Sequence, residues 1–176
     1  MRFGLGYMKK VFNILNRLSE NPRIAEMNRY IQHGDTSCLL HTVAVAYYSM
    51  RLAEKLRIPV HKRELIRGAL LHDYFLYDWH DGKPERRIHG FTHPGAAERN
   101  ASRDFKLKRL EKDIIRKHMF PLTPKPPMSR EAWIVCLVDK GCSLYETFGR
   151  KNYKHIDERW KMEFGKLYEE LRENVE

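Results

Sequence analysis

Apolar residues recur at three- and four-residue intervals along most of this chain, and no segment alternates apolar with polar residues over a useful length. The first spacing is that of a helix and the second that of a strand, so the chain is expected to fold as helices packed on helices. Residues 8–18 carry Val11, Ile14, Leu15 and Leu18 at helical spacing. Pro22 opens a second short helix with Ile24, Met27 and Ile31 that ends near Gly34. Thr36 or Ser37 can cap a long third helix bearing Leu39, Leu40, Val43, Ala44, Tyr47 and Leu52. After the Ile58–Pro59 break, residues 62–75 hold Leu65, Ile66, Ala69 and Leu70. Pro94 suits the first turn of a helix running to about Phe105. Another spans about 107–119, with Leu110, Ile114 and Ile115 inward. Ser129 is placed to cap a helix with Trp133, Ile134, Leu137 and Val138 that reaches about Phe148. The last, about 153–173, carries the stripe Ile156, Trp160, Phe164, Leu167 and Leu171, which can pack within the chain or in a dimer. The expected fold class is all-α, a single-domain bundle of about seven to eight helices. Its one domain covers residues 1–176, with a core at 33–148 on which N-terminal helices (8–33) and a C-terminal helix (153–173) pack.

An apolar fraction of 42% beside a charged fraction of 32% excludes a disordered chain. No stretch approaches the roughly 18 apolar residues that cross a bilayer, and the basic start has no long apolar core, so no membrane partner or signal peptide is expected. The cytoplasm is the expected address. Cys38, Cys136 and Cys142 are odd in number and fit no metal-knuckle spacing, so they read as small buried apolar residues in a reducing compartment. The net charge of +10 attracts phosphate-bearing partners, whether nucleotides, nucleic acids or anionic lipid. It is spread too widely to choose among them.

The chemistry lies in the histidines and in their surroundings. His72 and Asp73 are adjacent, near the end of a strongly apolar helix. Neighbouring helix positions lie about 100° apart, so both cannot face an apolar core without a polar partner between them. A shared metal ion is such a partner. His41 sits in an equally apolar helix, and Asp139 in a third, flanked by Cys136, Leu137 and Val138. A carboxylate there is costly to bury unless it is paired or ligating. Taken singly, His41 can be satisfied by a backbone carbonyl and Asp139 by a basic side chain. Taken together, three apolar helices that each present a nitrogen or oxygen are more economically explained by one metal.

The ordered pattern His41, then His72–Asp73, then Asp139 resembles the HD-domain superfamily of metal-dependent phosphohydrolases, over roughly residues 33–148. The resemblance implies a helical bundle of the HD-domain type. Residues 89–97 (HGFTHPGAA) resemble the His-Pro segment that begins a helix in two-metal members, and 114–122 (IIRKHMFPL) resemble their next histidine. By that resemblance His41, His72, Asp73 and Asp139 hold a first metal, and Asp73 bridges to a second completed by His93 and His118. Other roles stay open: His93 as a helix-capping or substrate-contacting residue, and His118 as a partner of a helix dipole. The dyad is followed by Tyr74–Phe75–Leu76 and no Gly-Tyr-Pro occurs, so the chain is unlike the HD-GYP subgroup. The string FLYDWHDG (75–82) is more similar to other bacterial HD proteins.

Imidazole and carboxylate ligands suit one or two divalent transition ions (manganese, iron, nickel, cobalt or zinc, with magnesium also allowed) better than calcium. The implied reaction is hydrolysis of a phosphomonoester or phosphodiester, with a nucleotide as expected substrate, by metal-activated hydroxide in which Asp73 is central. Lys140, next to Asp139, can pair with the substrate phosphate or be a surface lysine. His33, in a His-Gly turn that resembles one in many HD proteins, is assigned phosphate contact or proton transfer. Asp78 and His80 can line the pocket mouth, and Lys125, in the proline loop 121–127, is a further candidate for substrate contact. Two other readings compete: a regulatory HD module that binds a metal or nucleotide without turning it over, and a nucleic-acid-binding helical protein.

Overall fold

The computed structural model describes residues 3–84, 88–149 and 153–173. Its elements run α1 (Phe3–Leu18), α2 (Arg23–Glu26), β1 (Ile31–His33), β2 (Thr36–Ser37), α3 (Cys38–Lys55), α4 (Lys62–Leu71), α5 (His89–Asp104), α6 (Arg109–Lys117), α7 (Arg130–Gly149), α8 (Lys154–Glu163) and α9 (Gly165–Tyr168). A short π-helical segment, Glu169–Glu173, follows α9. The class is all-α, as the apolar spacing requires.

The bundle is organised on α3. Its side chains are small or apolar on nearly every side, from Leu39 and Leu40 through Val43, Ala44, Val45 and Ala46 to Met50, and all are buried. A helix apolar all round belongs in a core, and α3 packs against α1, α4 and α7. Ser37 caps it, its Oγ accepting the Leu40 N–H at 3.3 Å. The helix stops where Arg57 turns left-handed (φ 54°) ahead of Ile58–Pro59, which cannot continue it. The next crossing is close: a Cβ on Gly68 of α4 would stand 2.6 Å from Ile114 Cδ1 of α6. Burying Ile114 fully contributes about 1.5–3 kcal/mol, and Gly68 is the residue that allows that seat. Ser129 caps α7, accepting the Ala132 N–H at 3.2 Å and donating to Asp113 Oδ2 of α6 at 2.8 Å. The three cysteines are free and buried.

Several boundaries differ from the sequence expectations. Helix α1 begins at Phe3 rather than at residue 8, and α4 ends at Leu71 rather than at 75, which leaves His72 at its C-cap and Asp73 beyond the helix. The second helix does not run to Gly34. It stops at Glu26, and β1 pairs antiparallel with β2 across a turn in which Gly34 takes φ 55°. Strands of three and two residues are too short to leave a period-two signature. Helix α5 begins at His89, so Pro94 lies within it rather than at its first turn. The lost proline N–H costs one hydrogen bond near the helix start, where the facing residue is the side-chain-free Gly90. The helix expected over 107–119 is Arg109–Lys117, which leaves His118 at its C-cap. The C-terminal helix breaks at Phe164 (φ −139°, ψ 44°) just before Gly165, a poor helix former. Its stripe still faces inward: Trp160 is fully buried and stacks on Phe12 of α1 at 5.2 Å.

Candidate metal centre

His41 lies in the first turn of the buried helix α3, His72 at the C-cap of α4, Asp73 one residue beyond, and Asp139 midway along α7. All four are at most 5% exposed. Their facing atoms form one cluster. His41 Nε2 stands 3.1 Å from Asp139 Oδ1 and 3.6 Å from Asp73 Oδ2, and His72 Nε2 stands 3.3 Å from Asp73 Oδ2 and 3.5 Å from Asp139 Oδ1. The other oxygen of Asp73 faces the opposite way. Asp73 Oδ1 is 3.2 Å from His93 Nε2 and 3.5 Å from His118 Nε2, and those two nitrogens are 2.8 Å apart. Two groups of ligand-type atoms result, His41–His72–Asp73–Asp139 and Asp73–His93–His118, with Asp73 in both.

The second nitrogen of each imidazole decides what the first can do. His72 Nδ1 meets the Ala69 carbonyl at 2.7 Å, His93 Nδ1 the His89 carbonyl at 2.9 Å, and His118 Nδ1 the Ile115 carbonyl at 2.8 Å. A carbonyl only accepts, so each Nδ1 carries a proton and each Nε2 is left with its lone pair. His41 Nδ1 donates to both carboxylate oxygens of Glu146 at 2.9 Å. Four imidazole Nε2 atoms and the oxygens of two carboxylates therefore converge in a buried space. His72 Nε2 and Asp73 Oδ1 are buried with no hydrogen-bond partner among the described residues. Ligands about 2.1 Å from one ion are separated by roughly 3.0–3.4 Å in octahedral or tetrahedral geometry, and the facing atoms here stand within a few tenths of an ångström of that range, at 2.8 to 3.6 Å. The cluster can hold a divalent metal ion.

Its electrostatics agree with that reading. Burial alone would raise Asp73 and Asp139, yet the histidines around them hold both well below the usual carboxylate range. Burial alone would lower His41, but Glu146 and Asp139 bring it up to about 9. His118 is pushed down to about 3, first by burial and then by the positive charge on His72. The buried anions thus demand a positive charge; extra protons on the Nε2 atoms of His41 and His72 can supply it, and a metal ion taking those lone pairs would supply it in their place.

A cavity of about 760 Å³ opens onto the centre, and Asp73, His93, His118 and Asp139 reach its wall. His33 lines it too, partly buried, with its ring 5.7 Å from that of His41 and its pKa lowered mainly by burial. Lys140 lines it with its ammonium tied to the His118 carbonyl at 2.8 Å and to the Cys136 carbonyl and Sγ at 3.3 Å. The structure does not bring Asp78, His80 or Lys125 to this cavity: all three are exposed, and none is among the described residues that line it. Asp78 instead closes a turn by accepting the His80 N–H at 2.8 Å. Lys125 stands in the proline loop facing solvent.

Several residues at the site were missed from sequence. Glu146 is one: it is 1% exposed, backs His41, and accepts from the Tyr153 hydroxyl at 2.8 Å. Its position seven after Asp139, two helical turns on, is the signal that was available. Gln32 is another. It is 4% exposed, donates to Asp73 Oδ2 at 2.6 Å, and keeps its Oε1 without a partner among the described residues. Trp79 and His89 also line the cavity, their rings stacked at 4.9 Å and 6°. Gly34 is required where it is, since a Cβ there would stand 2.7 Å from the Glu146 carbonyl oxygen, and its φ is positive.

No curated protein and no solved structure matches the chain. The family model for the HD domain matches residues 39–141, which is more than half of it and contains all six residues of the two ligand-type groups. By that match and this buried His/Asp centre, the chain belongs to the HD-domain family, within the metal-dependent phosphohydrolase superfamily.

Proposed function

We propose that the chain is a metal-dependent phosphohydrolase that cleaves a phosphomonoester or phosphodiester of a nucleotide at this centre. His41, His72, Asp73 and Asp139 would hold one divalent ion, and Asp73, His93 and His118 would hold a second. The observation that carries this reading is the division of Asp73, whose two oxygens face two separate sets of imidazole nitrogens. Manganese, iron, nickel, cobalt, zinc or magnesium fits the mixed nitrogen and oxygen donors. Such ions supply an acidified water and positive charge for the phosphoryl oxygens.

The residues of the chain do the rest. Backbone carbonyls and Glu146 fix the ligating imidazoles in one tautomer and orientation, so no reorganisation is needed when charge develops. Gln32 holds Asp73 by its amide and offers its carbonyl oxygen to a water or substrate hydroxyl. Lys140, its protons engaged by carbonyls, contributes a fixed positive charge to the phosphate. His33 sits at the wall as a neutral base for proton transfer. Trp79, stacked on His89 in a cavity wall that also holds Leu122 and Leu144, suits a nucleobase.

Elemental analysis of protein purified without added metal or chelator, followed by a phosphatase and phosphodiesterase screen with manganese, nickel, cobalt and magnesium, tests the proposal. Two equivalents with metal-dependent hydrolysis are expected. One equivalent would confine the site to His41, His72, Asp73 and Asp139. Bound metal with no hydrolysis across a broad phosphate panel would make the chain a binding module instead.

A further inference from the structure

Helix α7 separates two cavities. Asp139, Lys140, Ser143 and Leu144 line the metal cavity, whereas Val138, Gly141, Cys142 and Tyr145 line a second groove of about 980 Å³. At about 100° per residue the two sets point to opposite faces of the helix. The second groove is walled by five tyrosines, Tyr7, Tyr47, Tyr48, Tyr145 and Tyr153. Arg51 and Lys55 also line it, both exposed, with the Arg51 guanidinium 5.7 Å from the Tyr47 ring centre. Glu54 is the single carboxylate among the described lining residues, and it is engaged by the Tyr7 hydroxyl. Flat aromatic walls accept a planar ring, and two cations against one engaged anion select a negative group. The volume is that of a small-molecule site.

We propose that this groove is a second ligand site, taking a small aromatic anion whose ring lies among the tyrosines and whose phosphate or carboxylate meets Arg51 and Lys55. Tyr153 joins the groove to the metal centre. Its hydroxyl donates to Glu146 Oε1 at 2.8 Å, and Glu146 accepts from His41 Nδ1 at 2.9 Å. A ligand seated on Tyr153 is thus two hydrogen bonds from His41, and its occupancy shifts metal affinity there. This last step alone rests on His41 being a metal ligand.

The test uses the full-length, metal-loaded protein with anilinonaphthalene sulfonate, an aromatic anion that fluoresces on leaving water, and adenosine monophosphate as competitor. Saturable dye binding, displaced by the nucleotide, is expected. Arg51→Glu and Tyr145→Ala, at exposed positions that leave the fold intact, weaken it about tenfold, while Lys140→Ala in the metal cavity does not. Asp73→Ala, with the metal centre disabled, still binds the dye. Absence of saturable binding, or binding indifferent to both groove variants, overturns the site. Equilibrium dialysis of metal with and without dye then reads the connection: a shift of about threefold in the wild type and none in Tyr153→Phe is expected. No shift in the wild type overturns the connection and leaves the groove standing.

Discussion

The two halves of the metal centre share Asp73 and differ in nearly everything else. His41 and His72 are fully buried behind the cavity wall, and their set includes a second carboxylate, Asp139. His93 and His118 reach the cavity itself, and their set has Asp73 alone for negative charge. Backing differs as well: Glu146 supports His41 with a carboxylate, whereas His93 and His118, like His72 of the inner set, lean on backbone carbonyls. A carboxylate behind an imidazole makes it a stronger donor. Under the proposed function the two sets would divide the labour, the inner one retaining its ion and the outer one meeting the substrate.

Asp73→Ala should break both halves at once, because each loses its shared oxygen. Loss of both metal equivalents and of hydrolysis by about 10³-fold or more is expected, with helical circular dichroism retained. Full metal content in that variant would sink the assignment of the dyad. Glu146→Gln is the sharper probe of the inner set. It keeps the hydrogen bond to His41 and removes the charge, so inner-ion affinity should fall about 10–100-fold while the outer set is untouched; equal weakening of both would erase the distinction. His118→Ala runs the other way. About one metal equivalent should remain, with activity low and the inner affinity near that of the wild type.

What the sequence revealed of this centre follows the same division. The His72–Asp73 pair was legible because two polar residues interrupt an apolar run, and Asp139 because Cys136, Leu137 and Val138 precede it. His93 and His118 became legible only through resemblance, since their helices are polar enough to make a lone histidine unremarked. Glu146 offered only its seven-residue spacing from Asp139, because Tyr145 and Thr147 surround it with nothing that requires burial and its partner His41 is 105 residues away. Gln32 lies in a strand of three residues, too short to show a period. Asp78 and Lys125 were over-read for the opposite reason: nearness in sequence to the dyad or to His118 does not turn a side chain toward them. The bundle was legible from apolar spacing throughout, and it failed where single residues override the period, at Pro94, at Phe164 and at the Gly34 turn.

The smallest expected effect concerns the frame of the outer set. Asp113 of α6 accepts from the Ser129 hydroxyl at 2.8 Å and from the Met128 and Ser129 N–H groups at 3.1 and 3.0 Å, and pairs with Lys117 at 2.8 Å. It ties the helix that ends at His118 to the start of α7. Burial would raise its pKa, but Lys117 and Ser129 outweigh burial and hold it below the usual carboxylate value. A folded pKa below the unfolded one adds stability above the unfolded value, near pH 4, and that stability is lost as pH falls through the folded pKa. Asp113→Asn should therefore lower stability by about 1 kcal/mol at neutral pH, and the gap from wild type should close in acid. If the outer set depends on this frame, the variant weakens only the second ion, by a few-fold. Equal loss at both sites would mean that α6 and α7 hold the two halves as one rigid unit, and that the inner and outer sets differ in charge alone.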